Sequence, residues 1–156
     1  MTSSKHELDA PPWQRVDSTI MAMARAIRQA YELRMTKLEL NLSQASLLAF
    51  VDEWGPRTQT QIAEGLGLGR AGTGSVVDAL ERRGLVERQP DARDRRVWRV
   101  AATQQGRDMV KPVLEIDQVL RRELRAGISR EERQQLAQLL LRLQANLASV
   151  LDADEG

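Results

Sequence analysis

Arg93, Asp94, Arg95 and Arg96 stand together between two short strand-like runs, Leu85–Arg88 and Val97–Ala101. From Ala92 to Arg99 the chain carries four arginines against one aspartate, a local charge of +3. The whole chain carries only +1, so the basicity is concentrated at one spot. A compact cluster of guanidinium groups on a near-neutral protein suits a local contact with phosphates. Taken alone, the same cluster also fits a solvated hairpin tip.

Other chemistries lack their residues. There is no cysteine, which excludes disulfides, thiolate metal sites and cysteine-based redox sensing. The single histidine, His6, lies in a polar N-terminal stretch, so a multi-histidine metal site is excluded as well. No cysteine or second histidine offers a nucleophile–base pair, and no Gly-Lys-Ser/Thr phosphate loop occurs. Residues Gly67 to Gly72 fit the spacing Gly-x-Gly-x-x-Gly. The dinucleotide motif, however, needs a strand feeding its first glycine, and here a helical pattern precedes it. No catalytic residue, metal or cofactor is expected, and the chain does not read as an enzyme.

The elements around the arginines give the cluster its meaning. Thr58-Gln59-Thr60-Gln61 fits a capping box with Thr58 as cap, opening a short helix that contains Ile62, Ala63 and Leu66. Gly67-Leu68-Gly69 forms a turn. The next helix runs from Arg70 or Ala71 to Arg83, buries Val76, Val77 and Leu80, and stops at Gly84. Two helices joined by a short glycine-containing turn form a helix-turn-helix. With the hairpin behind it, this is a winged helix: one helix for the major groove of duplex DNA, and a basic tip for the adjacent backbone or minor groove.

Longer helices flank this unit. Ile20, Met23, Ala24, Ile27, Tyr31, Met35 and Leu38 recur at helical spacing, giving a helix over Trp13–Leu40. Ser43 is the expected cap of a second helix, Gln44–Glu53, which buries Leu47, Leu48 and Val51. After the wing, Thr103 caps a long helix that Pro112 is expected to kink or restart. Ser129 to Glu132 form another capping box, and Leu136, Leu139, Leu140, Leu143, Leu147 and Val150 line one stripe of the last helix. The first and the last two helices are too long to pack fully on the small reading unit. A second copy of the chain is the expected partner for their apolar stripes.

The expected fold class is mainly α with a small β-hairpin wing. Residues 1–12 form a disordered tail and 13–156 a single domain. Its DNA-binding lobe is 42–103, and 13–41 and 104–151 are dimerisation helices. The first ten residues lack an apolar signal core, and no apolar run reaches the roughly 18 residues of a membrane span. A cytoplasmic protein without membrane contact is expected.

Several motifs now occur in order: Leu42-Ser43-Gln44, Gln61-Ile62-Ala63, the run from Val77 to Arg88, Asp91-Ala92-Arg93-Asp94-Arg95-Arg96, and Thr103-Gln104-Gln105-Gly106. Over roughly Leu42–Val110 the chain closely resembles the MarR family of bacterial winged-helix regulators. The flanking helices match only in layout. The resemblance implies a homodimer with interleaved terminal helices that reads a pseudo-palindromic operator in double-stranded DNA. It also implies repression relieved by a small-molecule effector, often an aromatic acid, lodged between the dimer helices and a lobe.

Residue roles follow from both sources. Arg70, Thr73 and Ser75 open the recognition helix; Arg70 suits a guanine and Thr73 a thymine methyl. Gly72 and Gly74 stand where the family commonly has larger polar side chains. Arg93, Arg95 and Arg96 are the wing contacts. By resemblance to the family's Asp-x-Arg element, Asp94 fixes the tip while Arg96 or Arg95 inserts. Thr58, Gln59 and Thr60 can hold a phosphate, cap their helix, or both. Arg82, Arg83 and Arg88 can add backbone contacts, and Arg83 and Arg88 equally suit internal pairs with Glu81 or Glu87. Among the few aromatics, Trp13, Tyr31, Phe50 and Trp54 are effector-pocket candidates, with Arg28 to fix a carboxylate; core packing is the alternative for each. Trp98 covers the hairpin. The reading that competes with a repressor is a winged-helix protein–protein module, or an activator without an effector.

Overall fold

A computed structural model describes residues 11–154. Most of the expected N-terminal tail lies outside the described residues, but Pro12 already opens a 3-10 turn, Pro12–Gln14. The chain divides into two compact units, residues 1–120 and 121–156.

In the first unit, α1 (Val16–Met35) is shorter than the periodicity implies. It tightens into a 3-10 turn, Thr36–Leu38, and Glu39 then adopts a left-handed conformation at φ 55°. The next helix, α2 (Leu42–Trp54), starts two residues before the expected Gln44. Its cap is Asn41 and not Ser43. The Asn41 side chain accepts from the Gln44 backbone N–H at 2.8 Å, and the Gln44 side chain accepts from the Asn41 N–H at 3.0 Å. Both residues are good caps, but only Asn41 has a glutamine three positions on to close the box. The same device starts α3 (Gln59–Leu66), with Thr58 and Gln61 as its partners. The helix α4 (Arg70–Arg82) follows, and Gly84 at φ 69° turns the chain out of it.

β1 (Val86–Pro90) and β2 (Trp98–Ala102) pair antiparallel, with Val86 opposite Ala102, Arg88 opposite Val100 and Pro90 opposite Trp98. Each strand starts one residue later than the sequence pattern implies. Leu85 and Val97 lead into the strands, and Leu85 is buried. A rung absent from the sequence reading lies beside β2. Arg57 donates its N–H to the Val100 carbonyl at 3.1 Å and accepts from the Val100 N–H at 2.8 Å, so the loop after α2 is stitched to the wing.

The core gathers Leu47, Leu48 and Val51 of α2, Ile62 of α3, Val77 and Leu80 of α4, Val86 and Val100 of the hairpin, and Val110 and Val113 of α5. Helix α5 (Gln104–Leu124) docks very tightly at its start. Thr103 donates its hydroxyl to the Gly84 carbonyl at 2.6 Å and accepts from the Gly106 N–H at 3.0 Å. A Cβ on Gly106 would sit 2.0 Å from the Leu85 carbonyl oxygen, so only glycine permits this approach. The helix stays continuous through Pro112, where a kink or restart was expected. Proline removes one intrahelical hydrogen bond, but buried Val110 and Val113 on either side anchor the helix through that turn.

The second unit holds the end of α5 and α6 (Arg130–Asp154). The expected capping box is present at Ser129 and Glu132. Leu136, Leu139, Leu140, Leu143, Leu147 and Val150 are all exposed along α6. The observed class is mainly α, with six α-helices and one two-stranded hairpin among the described residues.

Candidate nucleic-acid interface

The wing is shaped by its acids and presents its bases. Asp91, at the end of β1, accepts from the backbone N–H of Arg93 at 2.8 Å and of Asp94 at 3.2 Å, and forms an ion pair with Arg99. These interactions hold its carboxyl down at about 2, the Arg93 N–H contributing most, then Arg99, then the Asp94 N–H. Asp94 accepts from the Arg96 N–H at 3.0 Å and lies 3.5 Å from the Arg96 guanidinium. Both acids are thus engaged within the loop. Arg93, Arg95 and Arg96 are exposed, with the Arg96 side chain 94% accessible. Asp91 had no assigned role in the sequence reading. Its signal was available: an aspartate two residues before a turn position commonly bonds the backbone ahead of it.

On α4, Arg70, Ala71, Gly72 and Ser75 are exposed. Thr73 is fully buried and donates its hydroxyl to the Gly69 carbonyl at 3.0 Å. It belongs to the core, which corrects the expectation that it meets a thymine methyl. Thr73 lies four residues before Val77, so the two share the inward face of the helix. At the start of α3, Thr58 caps the Gln61 N–H at 3.2 Å and Thr60 is exposed.

The ambiguous arginines resolve. Arg88 on β1 pairs with Asp78 at 2.6 Å and with Glu81, both on α4, and donates to the Gln59 side-chain carbonyl on α3 at 3.1 Å. Partial burial disfavours its charge, but hydrogen bonds to Asp78 and Glu81 outweigh that, and its pKa is raised above the ordinary arginine value. Its partners are thus Asp78 and Glu81, not Glu87. Arg83 donates to the Glu39 carbonyl at 2.5 Å, tying α4 to the segment after α1. Beside this cluster, a Cβ on Gly74 would meet the Gln59 side-chain nitrogen at 3.5 Å, so the Gln59 amide lies across the bare flank of α4.

Of the five effector candidates, Arg28 and Tyr31 share one cavity. It measures about 490 Å³ and is lined also by Ala24, Arg25, Ile27 and Leu42. Tyr31 donates its hydroxyl to Asp117 at 2.7 Å. The other three do not line it. Trp13 and Trp54 are exposed, and Phe50 packs on the core with its ring against Gly65. Arg25 was missed, although it stands three residues before Arg28 and so on the same side of α1. Among the described residues there is no group of three or more potential metal ligands, and no helix is long and apolar enough to cross a membrane.

Residues 38–97 match the model of the MarR family. The structure of the transcriptional regulator SlyA is similar at a TM-score of 0.76 and 27% identity, over 86% of this chain and 94% of that one. BldR, a transcriptional regulator from Sulfolobus solfataricus, gives 0.72 and 26% identity over 91% and 99%. CouR from Rhodococcus jostii RHA1, solved with p-coumaroyl-CoA bound, gives 0.72 and 25% identity over 80% and 88%. The chain is thus similar to the MarR family over residues 38–97 and has the winged-helix fold of these transcriptional regulators.

Proposed function

We propose that this protein is a ligand-responsive transcriptional repressor that binds a pseudo-palindromic operator as a homodimer. The observation that carries the reading is the wing: its aspartates are engaged in holding the loop, while Arg93, Arg95 and Arg96 extend into solvent. Arginines presented this way suit a narrow minor groove beside the major groove that α4 enters. Arg70 and Ser75 on α4 and Thr58, Gln59 and Thr60 at the start of α3 are the remaining proposed contacts. Asp94 acts by positioning Arg96.

The homodimer is supported by α6, whose exposed leucine stripe needs an apolar partner that a second copy supplies. The effector is supported by the cavity beside Arg25, Arg28 and Tyr31, whose two guanidinium groups favour an anionic, partly apolar ligand. CouR, of similar fold, was solved with p-coumaroyl-CoA bound. In this reading, occupancy of the cavity alters the spacing of the two lobes, so both recognition helices no longer fit successive grooves.

The test is binding of purified protein to duplex fragments from the region upstream of its own gene, read by fluorescence anisotropy with and without a panel of aromatic carboxylates. A salt-sensitive complex that at least one carboxylate dissolves is expected. No duplex binding in dilute buffer leaves a protein–protein module instead. Tight binding that no ligand relieves removes the effector from the proposal.

A further inference from the structure

Gln59 is held in an unusual way. Its side-chain carbonyl faces the Arg88 guanidinium at 3.1 Å, and Arg88 is itself fixed by Asp78 and Glu81. A guanidinium only donates, so the partner it faces must be the amide oxygen; the NH₂ therefore occupies the other side of the amide. That nitrogen lies along the flank of α4 at Gly74, 3.5 Å from where a Cβ would stand. Position 74 thus has no side chain of its own, and the space a larger residue would fill is taken by a donor reaching over from α3. Gln59 is not spent on capping, because the box that starts α3 uses Thr58 and Gln61.

We propose that Gln59 is a base-reading residue that presents only hydrogen-bond donors, its orientation set by Arg88 and its place left open by Gly74. The inference rests on the reading of this protein as a DNA-binding regulator. Glutamine ordinarily reads adenine with both amide groups, accepting from N6 and donating to N7. With its carbonyl turned to Arg88, Gln59 offers the NH₂ alone. The bases that match it fully present acceptors alone, guanine O6 and N7 or thymine O4, whereas adenine offers N7 but leaves its N6 donor without an acceptor. Arg88 is a positioning residue in this arrangement. It joins the wing strand, the recognition helix and Gln59, and makes no base contact itself.

The experiment is selection from a randomised duplex library by the full-length protein, with sequencing of the bound pool, for wild type, Gln59→Met, Gln59→Glu and Arg88→Met. Gln59→Met keeps the length of the side chain and removes its donors. It should lower discrimination at one base-pair position of each half-site by about 3- to 10-fold, the worth of one hydrogen bond, and leave the other positions unchanged. Gln59→Glu replaces donors by acceptors and should move preference at that position toward a pair whose cytosine amino group faces the residue. Arg88→Met frees the carbonyl and should broaden preference at the same position, adenine included. If this variant fails a thermal-melt check of folding, the two Gln59 substitutions decide alone. Preference profiles for both Gln59 variants that superpose on wild type, with affinity lowered uniformly, would show a phosphate contact and overturn the proposal. A wild-type pool with no enriched sequence overturns sequence-specific DNA reading itself, a failure distinct from loss of the Gln59 signal alone.

Discussion

Asp91 and Arg99 are ion-paired across the neck of the wing loop, and the same aspartate accepts two backbone N–H groups of the tip. One carboxylate therefore sets the path of the loop that carries Arg93, Arg95 and Arg96.

Asp91→Ala should weaken duplex binding without removing any arginine, because the tip loses its fixed course. Its acid titration gives an independent check. The Asp91 carboxyl lies at about 2 in the folded protein, against an ordinary 3.8. A lowered value means the ordering is fully present above about pH 4 and is lost as the pH falls toward 2. Carboxyl-carbon NMR should show Asp91 titrating at the bottom of that window. A midpoint near 4 would mean that the carboxylate does not hold the loop.

Arg96→Ala and Arg95→Ala should each reduce affinity for duplex DNA. Each should also reduce the slope of log affinity against log salt by roughly one phosphate equivalent or less. Anisotropy titrations across a salt series measure both quantities. An unchanged slope for both variants would mark the wing as a bystander.

Two glycines should respond oppositely to alanine. A Cβ on Gly72 meets nothing within 4 Å, so Gly72→Ala should stabilise the protein by up to about 1 kcal/mol in urea unfolding. At Gly106 the Cβ would collide with the Leu85 carbonyl at 2.0 Å. Gly106→Ala should cost about 1–3 kcal/mol, typical of overpacking at a site that must shift.

Leu140→Lys with Leu147→Lys should abolish the proposed dimer. Each buried leucine contributes about 1.5–3 kcal/mol, and the charges oppose reburial. Sedimentation at micromolar concentration should show monomers for the double variant and dimers for the parent. Identical sedimentation of the two would remove the α6 stripe from the interface.

What the sequence disclosed depended on how local the cause was. The boxes at Thr58 and Ser129 are written in four consecutive residues, and each helix starts where its box implies. The hairpin was legible for the same reason. Asn41 against Ser43 was harder, because two good caps compete within three residues and only the distant half of the box decides between them. Thr73 was misread from its polarity, although its spacing from Val77 placed it inward. The triple grip of Arg88 on Asp78, Glu81 and Gln59 joins three elements, and no local pattern specifies such a meeting. The pairing of Arg57 with Val100 was hidden for the same reason.

That last pairing ties the far end of α2 to the wing. The helix begins at Leu42, in the wall of the cavity, and the loop at its far end is hydrogen-bonded through Arg57 to the strand that carries the wing. Its 13 residues form a rod of about 20 Å, at about 1.5 Å per residue. One rigid element therefore spans from the wall of the cavity to the strand behind the arginine tip.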